Sequence, residues 1–400
     1  MGTFLICCKR GRASTLGSSA SRLLICGALA LLAACVPTRR AEVPAVPTVA
    51  FEPVSWSQLP GWRADDALAA WPAIINSCIG LRAKPEWQAF CSSAVATSPM
   101  DADFVRGFLE QQLQPYRVLR VTGRKRETTG LVTGYFEPLL HGSRERSDVF
   151  ATPLYSRPDD LLIVDLADVV PELKGKRVRG RVEGNRVVPY YSRAATREAP
   201  GLAGHEIVWI DNALDAFMLE VQGSGRVQLT TGEIIRLQYE DQNGHPYRSI
   251  GKYLADQGVM TIDQVNMPAI RAWLAANPQR QNEVLDSNPS VVFFREAPLE
   301  DPTIGPKGAM GVPLTAGRSI AVDPKFLKLG APMFLSTTAP GTGAPLQRLV
   351  VAQDTGGAIR GPTRADFFFG FGSEAGAQAG MMKHDGEMWL LWPKAAPPPL

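Results

Sequence analysis

Short apolar runs near the C-terminus restrict the fold of this chain more than any other feature. They are bounded by Gly and Pro and occupy residues 291–294, 319–322, 333–336, 349–352, 366–369 and 388–392. Such runs are too short for typical helices but have the length of β-strands, and many short strands in series are typical of small closed barrels. We therefore predict a β-barrel at this end of the chain.

The preceding region has a mixed pattern. Apolar side chains recur at helical spacing over residues 101–113, which Pro115 ends, and residues 65–81 form a second helix candidate that begins with two acids. From about Gly130 the period changes to short strand-like runs. The chain is therefore predicted to be mainly β with helices, in the α+β class.

The N-terminal segment has the pattern of a secretory signal. Arg22 precedes an apolar run over residues 23–34, which is shorter than the ~20 residues of a membrane-spanning helix. The sequence Leu-Ala-Ala-Cys that ends at Cys35 resembles a bacterial lipobox, in which the cysteine is lipidated; an ordinary signal peptide is the alternative. We predict a signal peptide over residues 1–34, then lipidated Cys35 and a tether within residues 35–60.

Charge and residue counts exclude several classes of protein. Without the four basic residues of the predicted signal, 38 basic and 39 acidic residues remain, so nucleic acid is not an expected partner. Four scattered histidines indicate no metal site, and no cofactor is expected. Cys78 and Cys91 are the only cysteines after Cys35; we predict a disulfide between them, with two buried thiols as the alternative.

Three aspartates lie at the ends of apolar runs. Asp323 and Asp354 each follow one, and Asp366 opens another. A carboxyl group at a strand end can be held rigidly and partly desolvated, which raises its pKa toward the range that a general acid needs near neutrality. Taken singly, each has a simpler interpretation, because Asp before Gly or Pro usually forms a turn.

Taken together, the segments around these aspartates resemble the three-aspartate (3D) domain, a double-psi β-barrel. Upstream segments are similar to motifs of the membrane-bound lytic murein transglycosylase A (MltA) family, and the resemblance runs from about Gly130 to Trp392. The family is a class of peptidoglycan lytic exotransglycosylases. The segments that carry the resemblance are AVDP (321–324), AQDTGGAIRG (352–361), ADFF (365–368), TGYFEP (133–138), VQGSG (221–225), YRSIGK (247–252) and NPSVVFF (288–294).

The resemblance implies two domains and a tail. Residues 61–136, a helical part, combine with the barrel residues 298–392 to form the first domain. Residues 137–297 form an inserted second β-barrel-like domain, and residues 393–400 are expected to be a loose tail. The glycan is expected in a groove between the domains, which is a usual place for ligand sites.

The family's chemistry implies a role for each aspartate. The family cleaves the β-1,4 bond between N-acetylmuramic acid and N-acetylglucosamine and forms a 1,6-anhydro end. Because the sugar's own C6 hydroxyl attacks C1, one carboxyl group that acts first as acid and then as base suffices, whereas hydrolytic glycosidases use two. By motif position this group is Asp366, with Asp354 in a supporting role and Asp323 mainly structural.

The remaining motif residues are expected to bind the glycan. Glycines permit close backbone approach, and amide and hydroxyl groups suit sugar hydroxyls and N-acetyl groups. Core packing of Tyr135, a helix N-cap role for Ser249 and a solvated helix face for Lys252 are the alternatives. The candidate substrate-binding residues are Gly134, Tyr135, Gln222, Gly223, Ser224, Gly225, Tyr247, Arg248, Ser249 and Lys252.

Two other functions stay open at this point. One is a hydrolase on the same barrel that uses Asp366 and Asp354 as a pair, and the other is a peptidoglycan-binding lipoprotein without catalysis. The implied partners are peptidoglycan glycan strands and, through Cys35, outer-membrane lipid. A cell-wall remodelling complex is a further partner that the resemblance allows. The residue after Cys35 is Val36 rather than Asp, which by analogy indicates outer-membrane sorting.

Overall fold

The computed structural model of the protein describes residues 46–176, 178–299, 301–397 and 399. The predicted signal peptide, Cys35 and the first part of the predicted tether lie outside the described residues. Within the described ranges, no helix has both the length and the apolar character needed to cross a membrane.

From residue 46 to the insert, the described chain contains three α-helices flanked by strands. The strand over residues 129–137 lies in the region that was predicted to be strand-like from about Gly130. By contrast, residues 48–53 form a strand rather than a tether, and residues 113–127 contain strands in the part that was predicted to be helical. The reason is tertiary, because the first two strands pair with each other along their lengths. The elements are β1 (Thr48–Pro53), α1 (Trp71–Leu81), α2 (Pro85–Val95), α3 (Ala102–Gln112), β2 (Leu113–Thr122), β3 (Lys125–Glu127) and β4 (Thr129–Glu137).

The insert combines two sheets with five helices among its described residues. Its elements are β5 (Leu139–Ser143), β6 (Thr152–Tyr155), β7 (Leu162–Val164), β8 (Val178–Glu183), β9 (Arg186–Val188), α4 (Arg193–Thr196), β10 (Glu206–Ile210), α5 (Ala213–Gln222), β11 (Ser224–Leu229), β12 (Ile234–Gln242), α6 (Ile250–Asp256), α7 (Met267–Ala276), α8 (Gln281–Asp286) and β13 (Val292–Ala297). The larger sheet has the order β13-β12-β11-β5-β10-β6, and β7, β8 and β9 form the smaller one.

The chain then returns to the first domain and closes a barrel. The last elements are β14 (Ser319–Val322), β15 (Pro332–Thr338), β16 (Pro345–Asp354), β17 (Ala365–Phe371), α9 (Gly372–Met381) and β18 (Lys383–Pro393). The strands follow the order β4-β17-β14-β16-β15-β18, and β18 pairs back onto β4. This closed barrel of six strands confirms the predicted α+β class, with N- and C-terminal segments in one barrel.

Alternation along the strands places a large apolar core inside the first domain. Phe334, Phe367 and Trp389 are buried there together with side chains of the three N-terminal helices. A disulfide between Cys78 and Cys91 joins α1 to α2 within this core. The helices therefore pack against the barrel as part of the same domain.

The described part of the predicted tail is held in place. Pro393 ends β18, the backbone N–H of Lys394 donates to the carbonyl of Gln112, and the indole N–H of Trp392 donates to the carbonyl of Pro397. Residues 393–397 are thus attached to the barrel rather than loose.

Candidate active site

Strand register places Asp366 in the middle of the barrel wall. Its strand, β17, lies between β14 and β4, so that Asp366 is opposite Ala321 on one side and Thr133 on the other. Successive side chains of a strand point to opposite faces, so the neighbouring Phe367 enters the main core while Asp366 faces the other way. The carboxyl group is half-buried, between full exposure and enclosure in the core.

A β-bulge brings Asp354 to the same row. The parallel register between β14 and β16 pairs Ile320 with Ala352 but Ala321 with Asp354, so Gln353 and Asp354 together oppose one residue. Such a bulge re-aims the side chains that follow it. Asp354 therefore lies in line with Ala321 and, one strand further, with Asp366, about 10 Å away at the backbone by the usual strand spacing.

Asp366 is held by a threonine and an arginine. The Thr133 hydroxyl donates to Oδ1 of Asp366 at 2.5 Å, and a guanidinium N–H of Arg364 donates to the Thr133 hydroxyl oxygen at 2.6 Å. Since an arginine can only donate, the Thr133 proton is directed to the carboxylate. Burial raises the pKa of Asp366, against the lowering effects of Thr133 and Arg364.

The two oxygens of Asp366 differ in their surroundings. Oδ1 accepts the Thr133 hydrogen bond, whereas Oδ2 accepts no hydrogen bond from the part of the chain that the structure describes. Oδ2 is therefore the oxygen that can exchange a proton with a substrate.

Asp354 has both oxygens occupied by donors. The backbone N–H groups of Ala309 and Thr355 donate to Oδ1 at 2.8 Å each, and the Tyr135 hydroxyl donates to Oδ2 at 3.1 Å. Burial raises the pKa of Asp354 to about 6, assisted by the charge of Asp366 and opposed by the three hydrogen bonds. Asp354 is thus mainly ionised at neutral pH and fixed in orientation.

Tyr135 is part of the floor beneath these carboxyl groups. Its ring is 8% exposed and packs at 5.1 Å from the ring of Phe368, in a small cluster with Leu314, Ala321 and Ile359. Burial raises the pKa of its hydroxyl well above the usual range, so the group stays a hydrogen-bond donor to Asp354. The ring of Tyr135 therefore fits the alternative of core packing, because neither of its faces is open to a sugar.

Asp323 is buried and organises the loop between β16 and β17. Its Oδ1 accepts the backbone N–H of Lys325, and its Oδ2 accepts the N–H of Gly361 at 2.9 Å. These contacts connect the end of β14 to the glycine-rich segment before Asp366. They are the contacts expected of a structural carboxylate.

The predicted glycan-binding glycines occupy close-packed positions. A methyl group at Gly134 would lie 2.6 Å from the Phe369 ring and 2.8 Å from Cα of Ala379 on α9. Gly223 ends α5 at φ +81°, and a methyl group at Gly225 would lie 2.0 Å from the Leu219 side chain. Close packing thus accounts for Gly134 and Gly225, and the left-handed backbone conformation accounts for Gly223.

Gln222 and Ser224 lie where α5 and β11 meet the first domain. The side-chain oxygen of Gln222 accepts the backbone N–H of Phe136 at 3.1 Å, three residues along β4 from Thr133. Ser224 is the first residue of β11 and is partly exposed. Gln222 therefore has a hydrogen bond to β4, the strand that pairs with the Asp366 strand.

The residues of the YRSIGK motif belong to a helical cluster of the insert. Ser249 caps α6 by accepting the backbone N–H of Lys252, and the Lys252 ammonium pairs with Asp256 on an exposed helix face. The Arg248 backbone N–H donates to Asn288, and burial raises the pKa of Tyr247. Among the described contacts, none joins this motif to Asp366 or Asp354.

Sequence reasoning missed Thr133, Arg364 and a buried charged cluster around Glu137. Glu137, fully buried at the end of β4, accepts hydrogen bonds from Arg226 of β11 at 3.0 Å and from Arg236 of β12 at 2.7 Å. Thr133 and Glu137 both lie in the motif TGYFEP. Alternate residues of a strand share a face, so the candidate Tyr135 could have indicated that Thr133 lies on the same face. Nothing in the sequence pointed to the partners.

Two desolvated carboxyl groups lie on one face of a closed barrel, an arrangement that is typical of enzymes that use general acid–base catalysis. A family model described as "MltA specific insert domain" matches residues 131–295, and one described as "3D domain" matches residues 318–392. The membrane-bound lytic murein transglycosylase A of Vibrio cholerae is 30% identical over 279 residues, which are 67% of each chain.

Solved structures agree with this match along most of the chain. MltA from Neisseria gonorrhoeae is 34% identical with a TM-score of 0.75, and the match covers 89% of this chain and 96% of that one. The lytic transglycosylase LtgG of Burkholderia pseudomallei is 43% identical with a TM-score of 0.57, over 89% and 99% of the chains. The protein therefore belongs to the MltA family of lytic transglycosylases, with a 3D domain.

Proposed function

We propose that this protein cleaves the β-1,4 bond between N-acetylmuramic acid and N-acetylglucosamine in peptidoglycan, with 1,6-anhydro ends as products. Membership of the MltA family supports a lytic transglycosylase that acts on peptidoglycan. The observation that carries the mechanism is the Asp366 carboxyl group, in which Thr133 holds Oδ1 and no described residue donates to Oδ2.

In the first step, protonated Asp366 transfers its proton from Oδ2 to the glycosidic oxygen as the bond to C1 breaks. Burial raises the pKa of Asp366, which favours the protonated form that this step needs.

In the second step, the C6 hydroxyl attacks C1 and gives its proton to the Asp366 carboxylate. The carboxylate left by the first step is stabilised by the Thr133 hydroxyl, which Arg364 orients. The C1–O6 bond replaces the C1–O4 bond and the proton returns to Asp366, so no water is consumed. One carboxyl group thus serves both steps.

Asp354 is better suited to support than to act as a second base. Three donors occupy its two oxygens, so a water molecule would have to displace one of them before it could be activated. We assign Asp354 the role of a fixed negative charge near the positive charge that develops at C1. This arrangement favours the internal attack over a hydrolase with two carboxyl groups.

The test is the mass and amount of soluble product released from purified peptidoglycan sacculi. Asp366→Asn is expected to keep the fold and lower release by at least about a thousandfold, since the proton carrier is lost. Asp148→Asn, at an exposed position, is the matched control and should release product normally. Undiminished release by Asp366→Asn, or products heavier by one water molecule, would contradict the proposal.

The name of the relatives also bears on location, since they are called membrane-bound. A membrane-associated periplasmic enzyme follows, and the proposed anchor is lipid on Cys35 in the outer membrane. Fractionation of cells is the measurement: the protein should be recovered with outer membranes, and recovery in the soluble periplasm would refute the anchor.

Glycan binding is proposed for all ten motif residues, but their positions in the structure suit this role to different degrees. Gln222 and Ser224, near the junction between β4 and the insert, are the ones that their positions favour. We place the glycan along this junction, with its scissile bond at Asp366.

A further inference from the structure

A cavity of about 580 Å³ opens on the first domain, away from the two carboxyl groups. It is lined by Phe367 and Phe369, which alternate with Asp366 and Phe368 along β17 and so point to the other face of the strand. Leu346 and Met381 continue this apolar lining. The volume lies within the range of ~300–1,000 Å³ that is typical of small-molecule sites.

Among the described residues that line this cavity, Arg348 of β16 is the one with a charged side chain. It is partly buried, and neither a hydrogen bond nor an ion pair joins its side chain to any of the residues that the structure describes. Burying a charge costs free energy unless a partner compensates it. The guanidinium therefore has an unused capacity to bind an anion.

Asp65, the acid whose charge acts on Arg348, cannot serve as that partner. Asp65 is buried and already accepts hydrogen bonds from the guanidinium of Arg318 and from the backbone N–H of Leu349. Burial and the Arg318 charge both lower the pKa of Arg348, and Asp65 offsets this effect only in part. Arg348 remains a cation, because guanidinium groups keep their proton in proteins.

The backbone at Gly317 leaves space for the guanidinium group of Arg348. Gly317 has φ +70°, and a methyl group there would lie 2.7 Å from a terminal guanidinium nitrogen of Arg348. Glycine both tolerates this backbone conformation and allows the close approach. Gln378 of α9 adds an amide to the same lining.

We propose that this cavity binds a small organic monocarboxylate with an apolar body. The carboxylate pairs with the Arg348 guanidinium, whose planar fork matches two carboxylate oxygens, and the apolar body lies against Phe367, Phe369 and Met381. Two sources have this chemistry: a peptide C-terminus that ends in small aliphatic residues, and a short fatty acid. The site is independent of Asp366 and of the proposed cleavage reaction.

The test is isothermal titration calorimetry at two temperatures, so that binding with no heat at one of them is still detected. The probes are N-acetyl-D-alanyl-D-alanine, its C-terminal amide and hexanoate. We expect at least one carboxylate to bind, with the amide at least about tenfold weaker than its acid, because the charge-assisted pair is lost. Whichever carboxylate binds more tightly identifies the source.

Two variants and a control assign the binding to this cavity. Arg348→Met should weaken carboxylate binding at least about tenfold, and Ala339→Phe, which fills the cavity while keeping Arg348, should do the same. Arg124→Met, at an exposed position outside the cavity, should bind as the wild type does. If Arg348→Met fails to fold, Ala339→Phe alone decides.

Three results would overturn the proposal. They are equal affinity for the amide and the acid, unchanged carboxylate binding in the folded variants, and no binding of either carboxylate up to about 10 mM, which is weaker than the range of small-molecule sites.

Discussion

At the scale of single residues, the proposed mechanism depends on how one proton is shared. Asp366 needs a raised pKa so that it carries a proton before the first step, and it needs stabilisation as an anion after that step. Burial supplies the first property, and the Thr133 hydroxyl, oriented by Arg364, supplies the second. Because these effects oppose each other, the pKa of Asp366 is set by their balance.

Thr133→Val is predicted to change both the rate and its pH dependence. Loss of a charge-assisted hydrogen bond of ~1.5–3 kcal/mol should lower kcat by about tenfold to a hundredfold. The Thr133 hydrogen bond lowers the pKa of Asp366, so its removal raises that pKa. The acid form then persists to higher pH, and the alkaline limb of the kcat/KM profile moves upward.

The measurement is a pH–rate profile of product release from sacculi for the wild type and the variant. Thr129→Val, on the same strand at an exposed position, is the control and should leave the profile unchanged. A lower rate with an unmoved alkaline limb would mean that Thr133 only supports the structure.

At the scale of elements, close packing of strands and helices decides which face each side chain occupies. The bulge at the end of β16 turns Asp354 toward the site, and the contact between β4 and α9 fixes the height of Thr133 beside Asp366. Gly134 lies between these two strands and the helix. Its role is therefore to permit the approach of α9.

Gly134→Ala is predicted to destabilise the protein by about 1–3 kcal/mol, because the added methyl group overlaps Phe369 and the α9 backbone. Gly107→Ala is the matched control. It lies inside α3 with nothing within 4 Å of the added carbon, so it should be neutral or stabilise by about 0.5–1 kcal/mol.

Urea unfolding monitored by circular dichroism measures both variants. Unchanged stability of Gly134→Ala together with weaker glycan binding would return this glycine to a direct role in substrate binding.

At the scale of the whole molecule, a buried ion cluster connects the insert to the barrel. Glu137 ends β4 where the insert begins, while Arg226 and Arg236 on β11 and β12 also donate to the carbonyls of Pro302 and Ile304, where the chain returns. The two chain segments that connect the domains are thus joined at one carboxylate, the outgoing segment through Glu137 itself and the returning segment through the two arginines. Its removal would leave two buried cations without a counter-charge.

Glu137→Gln is therefore predicted to cost about 3–5 kcal/mol of stability, the usual effect of breaking a buried ion pair on one side. Glu296→Gln is the control, since its pair with Arg144 is exposed and should contribute less than about 1 kcal/mol. Urea unfolding measures the difference between the two variants. Equal stabilities would show that the cluster does not hold the domains together.

Much of the architecture and the family could be predicted from the sequence. Short apolar runs predicted the barrel, and the three aspartates with their flanking motifs indicated the family and Asp366. These features are local in sequence, because the strand period, the turn residues and the residues of each motif lie within a few positions of one another. The boundaries of β1 and β2 could not be predicted as well, since each strand is stabilised by a partner that is distant in the chain.

Only the tertiary structure decided how the site is assembled. Thr133 and Asp366 are 233 positions apart, Tyr135 and Asp354 are 219 apart, and each pair meets through strand register and a bulge rather than through proximity in the chain. The same holds for Glu137 and its two arginines. It also holds for Arg348, which has no partner among the described residues because Asp65 is already bound to Arg318. The sequence by itself determined which groups are present and which strands they occupy. Burial and pairing, which set their pKa values and their roles, arise only when distant segments pack together.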